Sequence, residues 1–490
     1  MGFENDEMTG VVYKPQHDGK HDQKLQPDNI KKKNDTWFLY FSAFTANLVF
    51  LSGSMDMVWT SPVIPKLQSN DTTVNPLGRP ISHYEISLIA GLPRFGAILG
   101  TIAFAKLPDI VGRKKCLVYM ALAMTISNLL VSFGNHIYYY YIGRTLFCTF
   151  LGGVTVCLPV YLCEIAEDHN RVKYMCLMSA TVPIGTLLSY IFGPITSVKI
   201  FTLLTIAPVI AFLLIFTISV PESPVYLASK GKRIETMIAL QKLRSNKDTE
   251  QINKDYQQIE RELEARKNVS NIKTLWPFTT KPLKRAFLIA TVINMAHHCA
   301  GSSVIMPFLG PMFNEAHTNL SGNNVAILVG IIKIFIYFAT SFIVEKSGRR
   351  PLLLLSSAAS GVPLFFLGLY FYWKNTNASF LGDIRWLPIV IIIVFIISYA
   401  IGLGPLPTAI TGELFPSDIK SLAMSYQMIF VNLVITVWTF SYPIVAHYLG
   451  IQYCLWLFSM NCFIGLIGIY YILPETKGKS ILEIQKMLSD

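Results

Sequence analysis

The sequence carries the same charged landmarks twice, in the same order, and each landmark stands at the edge of a long apolar run. The repeated segments are 109–114 (DIVGRK) and 345–350 (EKSGRR), Glu164 with Arg171 and Glu413 with Lys420, and 221–224 (PESP) and 474–477 (PETK). Self-similarity over so long a period constrains the architecture before any local feature does. The chain is therefore expected to consist of two homologous halves.

Both halves are built from apolar runs that are long enough to cross a bilayer. The chain is 52% hydrophobic and 14% charged, whereas soluble domains carry about 25% charged residues. About 20 apolar residues span a bilayer core, and helices are the default there because backbone groups must be satisfied within the segment. The predicted spans are 37–58, 84–106, 115–133, 137–164, 173–193, 199–220, 285–309, 324–344, 351–373, 385–408, 422–446 and 451–473. The sequence thus predicts an all-α membrane protein with twelve transmembrane helices in two pseudo-symmetric halves.

Polar segments divide the chain into five parts. These are an N-terminal tail (1–36), a six-helix half (37–224), a linker (225–284), a second six-helix half (285–473) and a C-terminal tail (474–490). In the linker, Ile252, Tyr256, Ile259 and Leu263 recur at helical spacing in a polar background, which predicts an amphipathic helix. We interpret this helix as a strut between the halves, and a marginal helix in a flexible linker is the alternative.

Positive charge collects on one side of the predicted spans. The basic clusters are 31–33, 113–115, Arg171 with Lys173, 230–285, and Arg349 with Arg350. Short loops that retain Lys and Arg lie on the cytosolic side, so both termini of this multi-pass protein are expected in the cytosol, and the membrane is expected to be the plasma membrane. The net charge of +11 then faces anionic lipid and requires no nucleic-acid partner.

Glycosylation acceptors provide a second test of this orientation, because only external Asn-x-Ser/Thr sites are modified. Asn70, Asn319 and Asn377 fall in loops that are predicted to be external. Asn34 and Asn268 fall on the predicted cytosolic side and are expected to stay bare.

The sequence lacks the patterns that enzymes and ATP-driven pumps use. There is no Gly-x-x-x-x-Gly-Lys-Ser/Thr phosphate loop, no Gly-x-Ser-x-Gly elbow and no His/Cys spacing of a zinc site. All eight cysteines lie in or beside apolar runs, so no structural disulfide is expected. We predict a protein that is not an enzyme and needs no cofactor or metal. Duplicated six-helix halves instead favour a substrate site near the midplane between them.

Several motifs together resemble the sugar porter family of the major facilitator superfamily. They are PDIVGRK at 108–114, GR at 143–144 with GG at 152–153, PVYLCEI at 159–165, PESP at 221–224, GRR at 348–350, GPLP at 404–407, GELFP at 412–416 and PETKGKS at 474–480. The chain is most similar to the insect facilitated trehalose transporter branch. The resemblance spans roughly residues 37–485 and implies the major facilitator fold, functional as a monomer, with passive alternating-access transport of trehalose or a related sugar.

The resemblance also implies ion pairs that hold the cytosolic mouth closed. They would form among Asp109, Arg113, Glu164, Arg171 and Glu222 in the first half, and among Glu345, Arg349, Glu413, Lys420 and Glu475 in the second. Exposed pairs contribute only about 0–1 kcal/mol each, but a network can bias a two-state equilibrium by a few kcal/mol. Anchoring of helix ends among lipid headgroups is the alternative interpretation.

At the substrate site this chain departs from its relatives. In the resemblance, the fifth-helix glutamine falls on Ser179, the paired seventh-helix glutamines on His297 and His298, the asparagine on Ser303 and the tenth-helix tryptophan on Thr408. Amides offer both a donor and an acceptor to a sugar hydroxyl, so their loss argues against a hexose site. The smaller side chains favour a larger ligand such as a disaccharide, and they fit other solutes as well.

Ionisable residues also lie inside the predicted helices. Asp56, Arg94 and Lys333 should each pair or face water, because charge in the bilayer core is costly. Asp56 is expected to pair with Arg144 or Arg94, and a proton-coupled symporter that uses Asp56 is the mechanistic alternative, although the acid of proton-coupled relatives falls nearer Thr60. The sequence is also compatible with a non-transporting sugar sensor and with a carrier of a non-sugar solute, including an anion attracted by Arg94, Lys333 and the two histidines.

Overall fold

The computed structural model describes residues 36–167, 170–269, 281–376, 378–415 and 417–475, together with residues 483 and 487–488. The helices are α1 (Trp37–Asp56), α2 (Thr60–Leu67), α3 (His83–Ala103), α4 (Leu107–Val111), α5 (Arg113–Phe133), α6 (Ile137–Ile165), α7 (Arg171–Ile195), α8 (Val198–Ser219), α9 (Pro224–Ser229), α10 (Arg233–Leu243), α11 (Thr249–Val269), α12 (Lys281–Cys299), α13 (Ser302–Ile305), α14 (Leu309–Ala316), α15 (Gly322–Ser347), α16 (Arg349–Asn375), α17 (Leu387–Ile401), α18 (Leu406–Leu414), α19 (Ser417–Tyr448) and α20 (Ile451–Ile472). Two short 3₁₀ helices, Met306–Phe308 and Ser379–Gly382, complete the regular structure of these residues.

Eleven stretches of the described residues are long and apolar enough to cross a membrane. The one remaining predicted run, the eighth at 324–344, lies in α15, whose shorter apolar part is Gly322–Tyr337. The seventh run is a single stretch, Lys281–Ala316, that is broken at Gly301, where φ is +86°. The all-α architecture of two six-helix halves, as predicted from the sequence, is confirmed.

Successive long helices run in opposite directions, so the molecule has two faces. We call the face with the starts of α5 and α16 and with the linker helices α9–α11 the basic face. We call the face with the 68–82 connection the opposite face. Asn70 and Asn319 are exposed on the opposite face, as their predicted glycosylation requires. Asn34 and Asn377 lie outside the described residues, as does the side chain of Asn268.

Within the first half, α3 and α6 approach each other closely through glycines. A Cβ atom on Gly100 would lie 1.7 Å from the carbonyl oxygen of Thr149, and one on Gly152 would lie 2.3 Å from that of Ala97. Small residues allow membrane helices to pack backbone against backbone, where dispersion contacts are dense. This packing favours movement of the half as one unit.

The linker helices form a small apolar cluster of their own. Ile252, Tyr256 and Ile259 of α11 are buried with Leu240 of α10, which is the amphipathic pattern that the sequence predicts. Residues 270–280 lie outside the described residues, so a strut between the halves stays a prediction.

Ion pairs hold the linker to the first half. Arg244 and Lys247 both contact Asp255 of α11, at 2.5 and 2.7 Å, and Lys247 also contacts Glu167 beyond the end of α6, at 3.0 Å. Burial raises the pKa of Asp255, but the hydrogen bonds and charges of Lys247 and Arg244 outweigh burial and leave that pKa below its usual value. The linker is therefore tied to the first half by charge at one end of α11.

Candidate transport path and its gates

The two halves contact each other across the opposite face. The rings of His83 on α3 and His447 on α19 stack with their centroids 3.6 Å apart, and the hydroxyls of Tyr84 and Tyr448 lie 3.2 Å apart. Farther along the same two helices, a Cβ atom on Gly91 would lie 2.9 Å from Cβ of Phe440. An aromatic seam thus joins α3 to α19.

A second seam joins the first half to the broken seventh helix. Pro311 has no N–H, so the carbonyl of Pro307 lacks its usual helical donor, and the hydroxyl of Thr60 donates to that carbonyl at 2.7 Å. The hydroxyl of Tyr190 donates to the carbonyl of Met306 at 2.8 Å, and Ser61 Oγ accepts from the N–H of Gly310 at 2.9 Å. The helix break therefore exposes backbone groups that the first half satisfies.

Toward the basic face the path is open. Ser179 on α7 and Thr408 on α18, two of the expected substrate positions, are both exposed. A separate cavity of about 550 Å³ lies within the first half and the linker, between α6, α7 and the linker helices, and Glu164, Arg171, Arg244 and Glu262 are among its lining residues. The halves thus meet at one face while polar side chains of the path face open space on the other.

The expected gating charges of the first half form a compact group on the basic face. Arg113 contacts Glu164 at 2.9 Å and Asp109 at 2.8 Å, and its guanidinium lies 5.2 Å from the centre of the Tyr226 ring. Glu164 also accepts a hydrogen bond from the Ser223 hydroxyl. These contacts join α4, α5 and α6 of the first half to the linker helix α9.

Glu222 and Glu475 make contacts that differ from the expected ion pairs. Glu222 accepts from the N–H of Lys114 at 2.8 Å, and Glu475 accepts from the N–H groups of Arg349 and Arg350, each at 3.1 Å. Each carboxylate therefore caps the first turn of a helix, where free N–H groups and the positive end of the helix dipole favour an anion. The sequence repeat is thus matched by a repeated helix cap at the starts of α5 and α16.

The rest of the expected network is described only in part. Arg171 Nε donates to the carbonyl of Cys163 at 3.3 Å. The side chains of Glu345, Glu413 and Lys420 lie outside the described residues. The gating role of the network stays a prediction in both halves.

Four of the five expected substrate positions lie close together in the second half. His298 Nδ1 is 3.4 Å from Ser303 Oγ, and His298 and Thr408 line one cavity of about 20 Å³. The ring of His297 packs edge-on to His298, and its Nδ1 lies 3.0 Å from the Tyr399 hydroxyl and near the carbonyl of Leu403. Ser179 lies on the first half, where its hydroxyl donates to the carbonyl of Met175 at 3.3 Å.

Three polar residues of this cavity were missed from the sequence. Asn294, Thr411 and Gln427 line it with His298 and Thr408. Nδ2 of Asn294 donates to Thr411, and Nε2 of Gln427 donates to the hydroxyl of Thr291 at 3.1 Å. Gln427 Oε1 is buried and has no hydrogen-bond partner among the residues described. The two amides could have been found in the sequence because each stands inside an apolar run, and Asn294 lies one helical turn before His298.

The buried charges of the first half include the expected pair. Asp56 Oδ2 lies 3.4 Å from Arg144, and both side chains are buried. The Arg144 guanidinium also donates to the carbonyl of Ile89 at 3.1 Å and lies 4.4 Å from the centre of the Trp59 ring. Arg94 lines the adjoining cavity of about 60 Å³ with Asp56.

Comparison with known proteins identifies the family. The profile described as "Sugar (and other) transporter" matches residues 34–488. The chain belongs to this family. It is 26% identical over 472 residues to "Facilitated trehalose transporter Tret1" of Polypedilum vanderplanki, covering 95% of this chain and 92% of that protein. It is 27% identical over 472 residues to the "Tret1-2 homolog" of Drosophila simulans, covering 94% and 93%. It spans 55% of the longer Tret1 protein of Aedes aegypti, with 26% identity and 92% of this chain covered.

The solved structures support the same fold. An inward-open conformation of the xylose transporter XylE from E. coli matches with a TM-score of 0.75 at 18% identity, over 92% of this chain and 99% of that one. XylE described as a proton:xylose symporter bound to 6-bromo-6-deoxy-D-glucose matches with a TM-score of 0.68 at 18% identity, over 93% and 100%. The sugar porter resemblance is confirmed, and this sugar porter is a multi-pass membrane transporter rather than an enzyme.

Proposed function

We propose that this sugar porter is a facilitative carrier that moves trehalose or a related sugar across the plasma membrane by alternating access. In this proposal the basic face is cytosolic, both chain ends lie there, and one copy of the chain suffices. The observation that carries the proposal is the asymmetry of the path, which is closed by contacts between the halves at one face and open at the other. A two-half carrier caught with its cytosolic mouth open has this arrangement.

The character of the site supports a sugar of disaccharide size. Ser179, Ser303 and Thr408 are short hydroxyl side chains, so they leave room and still exchange hydrogen bonds with sugar hydroxyls. Gln427 Oε1, in the cavity that Thr408 lines, is an unused amide acceptor. Two relatives of nearly equal length are named as trehalose transporters or their homologue.

The pairing of Asp56 favours passive transport over proton coupling. Its carboxylate is balanced by Arg144 in a buried site, and protonation of Asp56 would leave the guanidinium charge without its partner. A symporter would need a second acceptor to take over that charge during each cycle. We therefore expect uptake that does not depend on a proton gradient.

Uptake of labelled trehalose into proteoliposomes, with and without an inward proton gradient, tests the proposal. The expected result is equilibration of trehalose at the same rate under both conditions, with glucose entering more slowly. Accumulation of trehalose above equilibrium that is lost in Asp56→Asn would show that the protein is a symporter and not a passive carrier. Trehalose binding without uptake would show that it is a sensor. Empty proteoliposomes and the Gly91→Cys/Phe440→Cys variant, oxidised, provide the background rate.

A further inference from the structure

Lys333 lies in the middle of α15 on the side that faces away from lipid. Ile331 and Phe335 are exposed on the outer surface of the same helix. Because residues in a helix advance by about 100° each, Lys333 points nearly opposite to both. One turn earlier, Gly330 packs against Leu187 of α7, which belongs to the other half. Gly330 lies about 60° from Lys333 around the helix axis, so Lys333 lies on the side of α15 that faces the other half.

The ammonium group of Lys333 has no ion pair or hydrogen bond with any residue that the structure describes. Its three N–H donors require acceptors, and an unpaired charge at this depth of a helix bundle is costly. The buried acid of the first half is already committed, because Asp56 is paired with Arg144. A ligand or water must therefore supply the missing acceptors.

The path as a whole carries excess positive charge. Arg94 lines the cavity next to Asp56, but Asp56 balances a single guanidinium, that of Arg144. Arg94 and Lys333 therefore remain as two unbalanced cations, because Asp56, the buried acid that the structure describes there, is already paired. A low-dielectric passage lined by one sign of charge concentrates solutes of the other sign.

We propose that Lys333 selects the cargo by charge, and that the related sugar moved by this carrier bears an anionic group, a carboxylate or a phosphate. The ammonium donates to the oxygens of that group, while the hydroxyls of the sugar exchange hydrogen bonds with polar side chains of the path. A charge-assisted contact of this kind is about twice as strong as a neutral one. This inference rests on the proposed function and narrows its substrate class.

Uptake of two matched pairs of sugars tests the inference in proteoliposomes that contain the whole protein. Trehalose is compared with trehalose 6-phosphate, and glucose is compared with glucuronate, so that each pair isolates the anionic group and the two pairs separate phosphate from carboxylate. We expect one acidic sugar to enter at least about tenfold faster than its neutral partner. An inside-positive potential, set in the wild-type vesicles, should accelerate that uptake.

Variants of Lys333 assign the selectivity to its charge. K333Q should lower uptake of the acidic sugar about tenfold or more and leave the neutral sugar unchanged, whereas K333R should retain most of the preference. K199Q removes the same charge from an exposed lysine at the start of α8 and serves as the control. If K333Q does not fold, the response of the wild type to the membrane potential decides the question.

The outcomes separate the inference from the proposed function. Equal or faster entry of both neutral sugars, with no effect of K333Q or of the potential, would overturn the inference and leave the carrier intact. Entry of none of the four sugars would overturn both. An anionic preference that persists in K333Q would also overturn the assignment to Lys333.

Discussion

The two faces of the path are organised by different chemistry. On the opposite face, stacked rings and hydrogen bonds to backbone carbonyls join one half to the other. On the basic face, the ion pairs around Arg113 join helices that belong to a single half. The difference separates two tasks. In the proposed alternating-access cycle, short-range contacts between the halves would be broken and remade, while the ion pairs around Arg113 would keep the first half rigid.

The largest effect is expected when the opposite-face seam is made permanent. In Gly91→Cys/Phe440→Cys, the two Cβ positions are close enough for a disulfide between the halves. Oxidation should abolish transport because the halves can no longer separate at that face, and reduction should restore it. Uptake before and after oxidation measures the effect, and each single-cysteine variant provides a control. Full activity of the cross-linked protein would show that this seam need not open.

Removal of Arg113 should act on stability within one half. Arg113→Gln leaves Glu164 partly buried without its cation, which is expected to cost about 3 kcal/mol. The midpoint of thermal unfolding in detergent measures this loss. Arg79→Gln is the matched control, because Arg79 pairs with Glu85 in an exposed site and such pairs contribute about 0–1 kcal/mol. Equal effects of the two variants would contradict the bracing role of Arg113.

The two helix caps should be equivalent. Glu222→Ala and Glu475→Ala each remove the acceptor of a first helical turn, with an expected cost of about 1 kcal/mol apiece. The free energies of unfolding of both single variants and of the double variant measure these costs. If Glu222→Ala were as damaging as Arg113→Gln, Glu222 would belong to the ion-pair network after all.

Removal of one stacked ring should loosen the opposite-face seam. His447→Ala deletes the ring whose centroid lies 3.6 Å from that of His83, and aromatic pairs contribute about 0.5–1.5 kcal/mol beyond the area that they bury. Reaction of Tyr84→Cys with a polar thiol reagent should therefore accelerate about fivefold when His447→Ala is added. Equal reaction rates in the two variants would contradict a closing role for the stacked rings.

The smallest effect is expected at the linker. The pKa of Asp255 is lowered by Lys247 and Arg244, so its contribution to stability is present above the unfolded pKa of about 3.9 and is lost as the pH falls through the lowered value. Asp255→Asn should remove that contribution at neutral pH and loosen α11 while leaving transport nearly intact. Limited proteolysis of the linker at pH 7, and with an acid-active protease at about pH 2.5, measures the change.

Repeats and periodicity in the sequence predict the helices and the two-half architecture, whereas the contacts of individual polar side chains depend on packing in three dimensions. The spans, the amphipathic α11 and the Asp56 pair follow from residue types at helical spacing or from the cost of charge in lipid. The caps made by Glu222 and Glu475 did not follow, because a repeated acid near a repeated basic cluster reads as an ion pair until the helix starts are located. Gln427 was missed because its neighbours in space lie more than a hundred residues away in the chain.

In the proposed alternating-access cycle, the break in the seventh helix also couples opening of the carrier to water. If the halves part at the opposite face, the hydroxyls of Thr60 and Tyr190 leave the carbonyls of Pro307 and Met306, and water molecules must take their places. Opening at that face would then consume water, whereas closing would release it. Osmotic stress from a solute too large to enter the path should hold that face shut, so we expect the turnover rate to fall as the osmolarity of the surrounding fluid rises.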